Sequence, residues 1–140
     1  MDFQTEKCVV VVDEALSQGL IANTAAILGI TLGRALPEAV GADVWDGSGI
    51  LHPGIITFPV PILRGGAAAL RALREALRTA PFSGLFAADF SDLAQGCRTY
   101  GEFQEKMAAA PEDVLRYLGI IVCGEKKLVN RLTGSLPLLR

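Results

Sequence analysis

The strongest constraint on this fold is a run of four valines at positions 9–12, followed by an uncharged stretch from residue 15 to residue 33. Consecutive β-branched residues are typical of a strand that is buried on both faces of a sheet. The uncharged stretch has helical periodicity between about residues 20 and 34, and none of its faces is charged. A helix of this kind must be covered on more than one side, which predicts a layered fold.

Composition is consistent with one domain of ordinary size. The chain has 140 residues, of which 51% are apolar and 20% charged, and this length can bury a core without a metal. We therefore expect residues 1–140 to form a single domain. Ser17, Gln18, Asn23 and Thr24 interrupt the uncharged stretch with polar groups, which favours a buried helix of a soluble fold over a membrane span.

Charge and cysteine content argue against several classes of protein. The net charge is −2, whereas nucleic-acid-binding proteins usually carry a basic excess, so we do not expect nucleic acid as a partner. We predict that the three cysteines, Cys8, Cys97 and Cys123, are free thiols in a reducing compartment. The chain also starts without a secretory pattern, so we expect a cytoplasmic protein. With one histidine and no suitable spacing, we expect neither a metal nor a cofactor.

Strand-like and helix-like segments alternate along the chain. Apolar runs predict four strands, at residues 9–12, 55–63, 84–89 and 120–123. Periodicity predicts helices at residues 20–34, 67–79, 100–109, 111–118 and 125–132. This order is typical of an α/β fold, and we predict a three-layer α/β/α domain with a mixed four-stranded sheet. The first and last strands should be central, while Pro59 and Pro61 favour an edge or irregular end for the second.

Five polar residues follow strands or lie in loops and form our candidate site: Asp13, Asn23, Asp46, His52 and Asp89. Ligands of open α/β sheets bind beyond the carboxyl ends of the strands, which predicts a pocket around these residues. The pKa of an ordinary histidine would let His52 exchange a proton near neutral pH. The alternative is structural: Asp13 and Asp89 would cap turns or helices, and His52 would be a loop residue without a catalytic role.

Two further features are compatible with anions. Arg71, Arg74 and Arg78 form a basic stripe that could contact a nucleic-acid backbone, although the solvated face of an amphipathic helix is the favoured interpretation. The turn at Gly65 and Gly66 could place helix N-terminal donors around an anion, but a simple tight turn is the favoured interpretation here too.

The two ends of the chain carry a family resemblance. The strand KCVVVV at residues 7–12 leads to Gly19, Ile21 and Ala22, and the motif VNRLTG at residues 129–134 precedes an apolar tail. This combination resembles the type II peptidyl-tRNA hydrolases, and more closely an uncharacterised bacterial family, a domain of unknown function, that looks like their divergent relatives. The resemblance implies a type II peptidyl-tRNA hydrolase-like fold and places the family's carboxylate at Asp89.

The residues that carry the hydrolase chemistry differ in this chain. Gln18 and Leu20 stand where the family has lysines, and Leu93 lies near the position of its threonine. Losing those charges removes contacts to a phosphate or a reacting ester. We therefore predict a protein of unknown function that acts as a non-hydrolase small-molecule-binding or regulatory domain. The alternative is a peptidyl-tRNA hydrolase or a related ester or amide hydrolase, in which Asp89 helps to orient water.

Small residues on the first helix predict self-association. Ala22, Ala26, Gly29 and Gly33 form one face, and without a charged face the helix would leave a large apolar patch exposed to water. We expect this face to lie in the interface of a homodimer. The alternative is cover from within the chain, by residues 100–118 or by the tail at residues 136–139.

Overall fold

A computed structural model describes Asp2 and residues 4–140. Six strands are present in this part of the chain: β1 (Glu6–Asp13), β2 (Val44–Trp45), β3 (Leu51–His52), β4 (Ile62–Gly65), β5 (Phe86–Ser91) and β6 (Tyr117–Glu125). It also contains five α-helices: α1 (Gln18–Ala35), α2 (Ala67–Ala76), α3 (Asp92–Gly96), α4 (Tyr100–Ala109) and α5 (Lys126–Thr133). Ser17 caps α1 by accepting a hydrogen bond from the Leu20 amide.

The main sheet has four strands in the order β4-β1-β6-β5. Strand β1 runs parallel to β4 and antiparallel to β6, and β5 is antiparallel to β6, so the sheet is mixed as predicted. The prediction that the valine strand and residues 120–123 are central is confirmed. Both runs are apolar throughout because both faces of these strands are covered.

Helices cover the sheet on both faces. Val10 and Val12 face α1 and pack in one core with Leu28 and Leu32. Val9 and Val11 face the opposite way and pack with the residues of α2 and α5, including Leu70 and Val129. Side chains alternate between the two faces of a strand, so an uninterrupted valine run serves both cores at once. The predicted three-layer α/β/α arrangement is therefore observed.

Two predicted elements differ from the structure. Only Ile62 and Leu63 of the predicted strand 55–63 pair in the main sheet, as the start of β4, because Pro59 and Pro61 lack the amide hydrogens that a ladder requires. The predicted helix at residues 111–118 is wrong: a short 3-10 turn spans Glu112–Val114 and β6 already begins at Tyr117. Apolar residues there belong to a buried strand, and a short apolar run does not distinguish the two structures.

A hairpin projects from the domain where a loop was predicted. Strands β2 and β3 pair antiparallel, with Val44 opposite His52 and Trp45 opposite Leu51. Backbone atoms come very close at its base, where a Cβ on Gly54 would overlap the carbonyl of Gly41. We call residues 41–54 the arm.

The prediction of three free thiols is wrong for two of the cysteines. Cys8 of β1 lies directly opposite Cys123 of β6, with their Cα atoms 4.1 Å apart, and the two form a buried disulfide. Cys97 is the free thiol. Two strand residues 115 positions apart in sequence meet only through the sheet register, which spacing alone does not reveal.

The C-terminal tail runs along the outer edge of β4. The Arg64 amide donates to the Pro137 carbonyl at 2.9 Å, and the Leu139 amide donates to the Ile62 carbonyl at 2.8 Å. Leu139 thereby packs against the core on the α1 side of the sheet. This contact agrees with the alternative in which the tail at residues 136–139 covers part of α1. No helix between residue 4 and residue 140 combines the length and the apolar character needed to cross a membrane.

Candidate functional site

Asp13 ends β1 and is held in an internal ion pair. Its side chain is 1% exposed and accepts a hydrogen bond from the Arg116 guanidinium at 2.7 Å. The other carboxylate oxygen accepts from the Ala15 amide at 2.9 Å, so Asp13 also caps the turn into α1. This environment matches the structural alternative for Asp13. The nearby turn is also filled, because Leu136 packs against Gly65.

Asp46 and His52 meet in the arm. The imidazole Nε2 of His52 lies 2.9 Å from one carboxylate oxygen of Asp46, while the other oxygen accepts hydrogen bonds from the Ser48 and Ile50 amides. These contacts, with His52 the largest, lower the pKa of Asp46 below its ordinary value. The pair therefore closes the hairpin turn of the arm.

Asn23 and Asp89 lie on opposite sides of the sheet. The Asn23 side chain donates to the Gln95 side chain of α3 at 3.3 Å, on the α1 face. The Asp89 carboxylate points to the α2 face, where Arg74 Nε donates to it at 2.9 Å. The five predicted residues thus form no single pocket, because β1, α1, the arm and β5 carry them to separate places.

The three arginines of the basic stripe on and just after α2 share two acidic partners, Glu112 and Asp89. Arg71 binds the Glu112 carboxylate at 2.6 Å and also donates to the Leu115 carbonyl. Arg78 lies 3.3 Å from the same carboxylate and 3.1 Å from the hydroxyl of Tyr117. With the Arg74–Asp89 pair, all three arginines have a carboxylate partner. The arginines are therefore neither free to bind phosphate groups nor freely solvated.

Tyr117 and Glu112 are linked within this network. The Tyr117 hydroxyl donates to the Glu112 carboxylate at 2.6 Å, and the Arg71 guanidinium lies 5.1 Å from the ring centroid. The hydroxyl and then Arg71 lower the pKa of Glu112, while burial and then Glu112 raise the pKa of Tyr117. The network therefore joins α2 to the segment before β6.

We expect Tyr117→Phe to raise the pKa of Glu112 toward its ordinary value of 4.5, because the largest stabilising contact of the carboxylate is lost. A carboxylate whose folded pKa is depressed contributes stability above its unfolded pKa and loses it as the pH falls through the folded pKa. Wild-type stability should therefore decline below about pH 4.5, and the Glu112 contribution should be smaller in the variant. NMR titration of the Glu112 side chain measures the shift, and an unchanged pKa in the variant would contradict the assignment.

A cleft opens on the α1 face beside β5, which is an edge strand. It has a volume of about 430 Å³ and lies between Ile27 and Thr31 of α1, Asp89 and Phe90 of β5, and the segment that joins α3 to α4. Asp89 borders the cleft, but its carboxylate is engaged by Arg74 on the other face of the sheet. That segment contributes Cys97, Arg98, Thr99, Tyr100 and Phe103. A cleft of this size with mixed polar and apolar walls is typical of a small-molecule site.

Internal hydrogen bonds hold most of the polar wall in place. The Cys97 thiol donates to the Leu93 carbonyl at 3.2 Å, and Thr99 caps α4 by accepting from the Glu102 amide at 3.1 Å. The rings of Tyr100 and Phe103 pack edge to face with centroids 5.5 Å apart. The wall is therefore held by contacts within its own segment, and it presents two aromatic rings.

Arg98 is the exception among the polar residues of this wall. Its amide donates to the Glu102 carboxylate at 3.1 Å, but its guanidinium forms no ion pair or hydrogen bond with the described residues. By contrast, Arg64, Arg71, Arg74, Arg78 and Arg116 all have carboxylate partners. A cation without a protein partner beside an aromatic wall can bind an anionic group.

The sequence analysis missed Arg98, Tyr100 and Phe103 as site residues. Tyr100 and Phe103 lie in the helix predicted at residues 100–109, Arg98 lies just before it, and no motif marks any of the three. The signal that could have drawn attention to them is local: an arginine with two aromatic residues in the next turn. Within Asp2 and residues 4–140, no three His, Cys, Asp or Glu side chains cluster as a metal ion would require.

The fold and the cleft together define a class of protein: a three-layer α/β/α domain with a mixed sheet and a pocket beside one edge of that sheet. The chain belongs to the DUF2000 family, described as a protein of unknown function, whose model matches residues 6–140. This confirms the predicted membership of an uncharacterised family. No protein in a search of curated proteins matches the sequence significantly.

One similar solved structure is a protein of unknown function, Atu0240, from Agrobacterium tumefaciens str. C58. It shares 15% sequence identity, covers 97% of this chain and 98% of its own, and superposes with a TM-score of 0.88. At this identity the likeness shows the fold alone. Neither comparison mentions a hydrolase, so the resemblance to type II peptidyl-tRNA hydrolases stays a prediction.

Proposed function

We propose that this protein is a non-hydrolase binding domain for a small organic anion, with its site in the cleft between α1, β5 and the α3–α4 segment. The observation that carries this proposal is the unpartnered guanidinium of Arg98 on the wall of a 430 Å³ cleft. The proposal keeps the predicted class of function but moves the site away from Asp46 and His52.

The chemistry of the wall defines the ligand class. Arg98 would bind a carboxylate or phosphate through paired N–H donors, and the N-terminal end of α4 adds favourable potential for negative charge. Tyr100 and Phe103 would pack against an aromatic or apolar body, and Ile27 and Phe90 would complete that surface.

Benzoate, phenyl phosphate and neutral benzyl alcohol make a probe series of similar size. We expect the two anions to raise the melting temperature and to bind measurably by calorimetry, while the alcohol binds at least tenfold more weakly because it cannot pair with Arg98. Arg98→Gln should weaken binding of the anions about tenfold or more and leave the alcohol unchanged.

Arg34→Gln is the matched control, because Arg34 is also an exposed arginine whose side chain has no partner among the described residues, but it lies in the last turn of α1, outside the cleft. Equal loss in both variants would indicate general charge attraction, and no loss in Arg98→Gln would refute the assigned site. Salt should weaken binding of the anions only.

The alternative of peptidyl-tRNA hydrolysis has weaker support. Its candidate carboxylate, Asp89, is engaged by Arg74, and the arginine stripe that would contact the tRNA backbone is ion-paired. Turnover of a peptidyl-tRNA that is abolished by Asp89→Asn would favour this alternative over the binding proposal.

A further inference from the structure

Exposed apolar side chains concentrate in one region of this protein. Within the described residues, ten large apolar side chains are clearly exposed, and seven of them lie on the arm, at its base or on the neighbouring part of α1: Ile30, Val40, Val44, Trp45, Ile50, Leu51 and Ile55. Trp45 is 69% exposed and Ile55 is 79% exposed. Such a concentration of exposed apolar side chains is characteristic of an interaction site.

An apolar groove lies at the base of the arm. It has a volume of about 250 Å³ and is walled by Ala25, Gly29 and Gly33 of α1 on one side and by Val40, Ile56 and Val60 on the other, above Val10 and Ile121 of the sheet. The groove exists because Gly29 and Gly33 have no side chains, and a Cβ built on either would meet no atom within 4 Å. No titratable side chain lines it.

The arm does not fill the groove of its own chain. None of residues 41–55 contributes to the groove wall. The Gly41 amide donates to the Ile55 carbonyl, and the Thr57 amide donates to the Ala39 carbonyl, each at 2.9 Å, so the base of the arm is anchored. From that base the arm reaches roughly 20 Å, and an isolated two-stranded hairpin of this kind has little stability of its own.

We propose that the occupant of the groove is the arm of a second copy of this chain, in a two-fold dimer with exchanged arms. Each chain carries both halves of the contact, an apolar arm and an apolar groove, as an isologous interface requires. Trp45 is the anchor, because a single large aromatic side chain in an apolar pocket is the usual centre of an interface.

The available area fits a stable dimer. The exposed side chains of one arm present on the order of 500 Å² of apolar surface. Two arms and two grooves would bury on the order of 1,500 Å² in total, within the range of specific interfaces. The dimer would also cover the Gly29 and Gly33 part of the small-residue face of α1, and Ile30 lies beside it.

Trp45 is the single tryptophan of the chain, so its fluorescence reports on the arm directly. We expect light scattering at micromolar concentration to give twice the 14.8 kDa mass of one chain. The Trp45 emission should be blue-shifted in the dimer and move to the red on dilution, with the same midpoint as the change in mass. A mass of 14.8 kDa at these concentrations overturns the proposal.

Filling the groove tests the contact without weakening the fold. Gly33→Leu places a side chain in the open groove and improves helix propensity, so it should keep or raise the melting temperature while increasing the dimer dissociation constant about thirtyfold or more. Trp45→Ala should have a similar effect on the dissociation constant from the other side of the contact. Gly19→Leu is the matched control, because Gly19 is an exposed, uncrowded glycine of the same helix outside the groove.

The outcomes separate the possible occupants. Dimers that survive both Gly33→Leu and Trp45→Ala refute the exchanged arms. Loss of the dimer in Gly19→Leu as well as in Gly33→Leu refutes the groove as the contact, because it would indicate a general effect on α1. A third outcome is a monomer whose melting temperature rises with an apolar additive such as cyclohexanol, while the Gly33→Leu variant shows no such rise. This outcome would assign the groove to a small ligand and would also refute the proposal.

Discussion

Gly119→Ala is expected to lower the free energy of unfolding by about 3 kcal/mol, with a fall in melting temperature on the order of 10 °C. Gly119 lies in the central strand β6, directly beneath α1. A Cβ at this position would overlap Cγ2 of Thr24 and lie 3.1 Å from Leu28 Cδ1 and 3.3 Å from the Val11 carbonyl. Both helix side chains are fully buried, so α1 would have to move away from the sheet. Chemical denaturation measures the loss.

Thr24→Ser provides a rescue variant for this experiment. Serine keeps the hydroxyl that donates to the Leu20 carbonyl at 2.7 Å but lacks the methyl group that meets the new Cβ. Gly119→Ala combined with Thr24→Ser should therefore recover most of the lost stability, a coupling that a double-mutant cycle detects. Gly101→Ala, at an uncrowded position of α4, should have little effect or stabilise slightly. Additive losses in the double mutant would contradict the assigned contact.

Reduction of the Cys8–Cys123 disulfide is expected to lower the free energy of unfolding by about 4–5 kcal/mol. The bond closes a loop of 115 residues in the unfolded chain, and the entropy removed by such a link grows with loop length. Denaturation with and without a reductant measures the difference. Iodoacetamide in denaturant should modify one thiol before reduction and all three afterwards, as determined by mass spectrometry.

Two variants control the disulfide experiment. Replacing both Cys8 and Cys123 with alanine should make stability independent of the reductant, because the bond is then absent. Cys97→Ser should retain the dependence of the wild type, since this thiol is free. Modification of three thiols without reductant would show that the bond is absent and would restore the original expectation of free cysteines.

Much of the fold could be predicted from local patterns. The valine run and residues 120–123 were expected to be central strands, and they occupy the two inner positions of the sheet. The helical period of residues 67–79 places Leu70, Leu73 and Leu77 on one face, and all three are buried. These predictions succeed because the way an element is buried determines the spacing of its apolar residues. A helix buried on one side repeats them every three to four positions, and a strand buried on both sides has an unbroken apolar run.

The candidate site could be predicted only in part, because polar side chains have several possible partners. Asp89 and Arg74 were both noted, but nothing local indicates that they pair across β5 and α2 at 2.9 Å. Arg98 has the same side chain as Arg74, but in the α3–α4 segment its guanidinium has no ion-pair partner among the described residues. The availability of a charge is therefore a property of the folded neighbourhood.

By itself, the sequence of this protein determined the layered α/β class, the two inner strands and the unusual apolar character of α1. The tertiary structure alone decided which side chains meet: Cys8 with Cys123 through the β1–β6 register, Asp13 with Arg116, and Asp46 with His52 across the arm. Periodicity records whether a position is buried, and burial is a local requirement of each element. Pairing depends on register and packing between segments that are distant in sequence, and no local pattern records those.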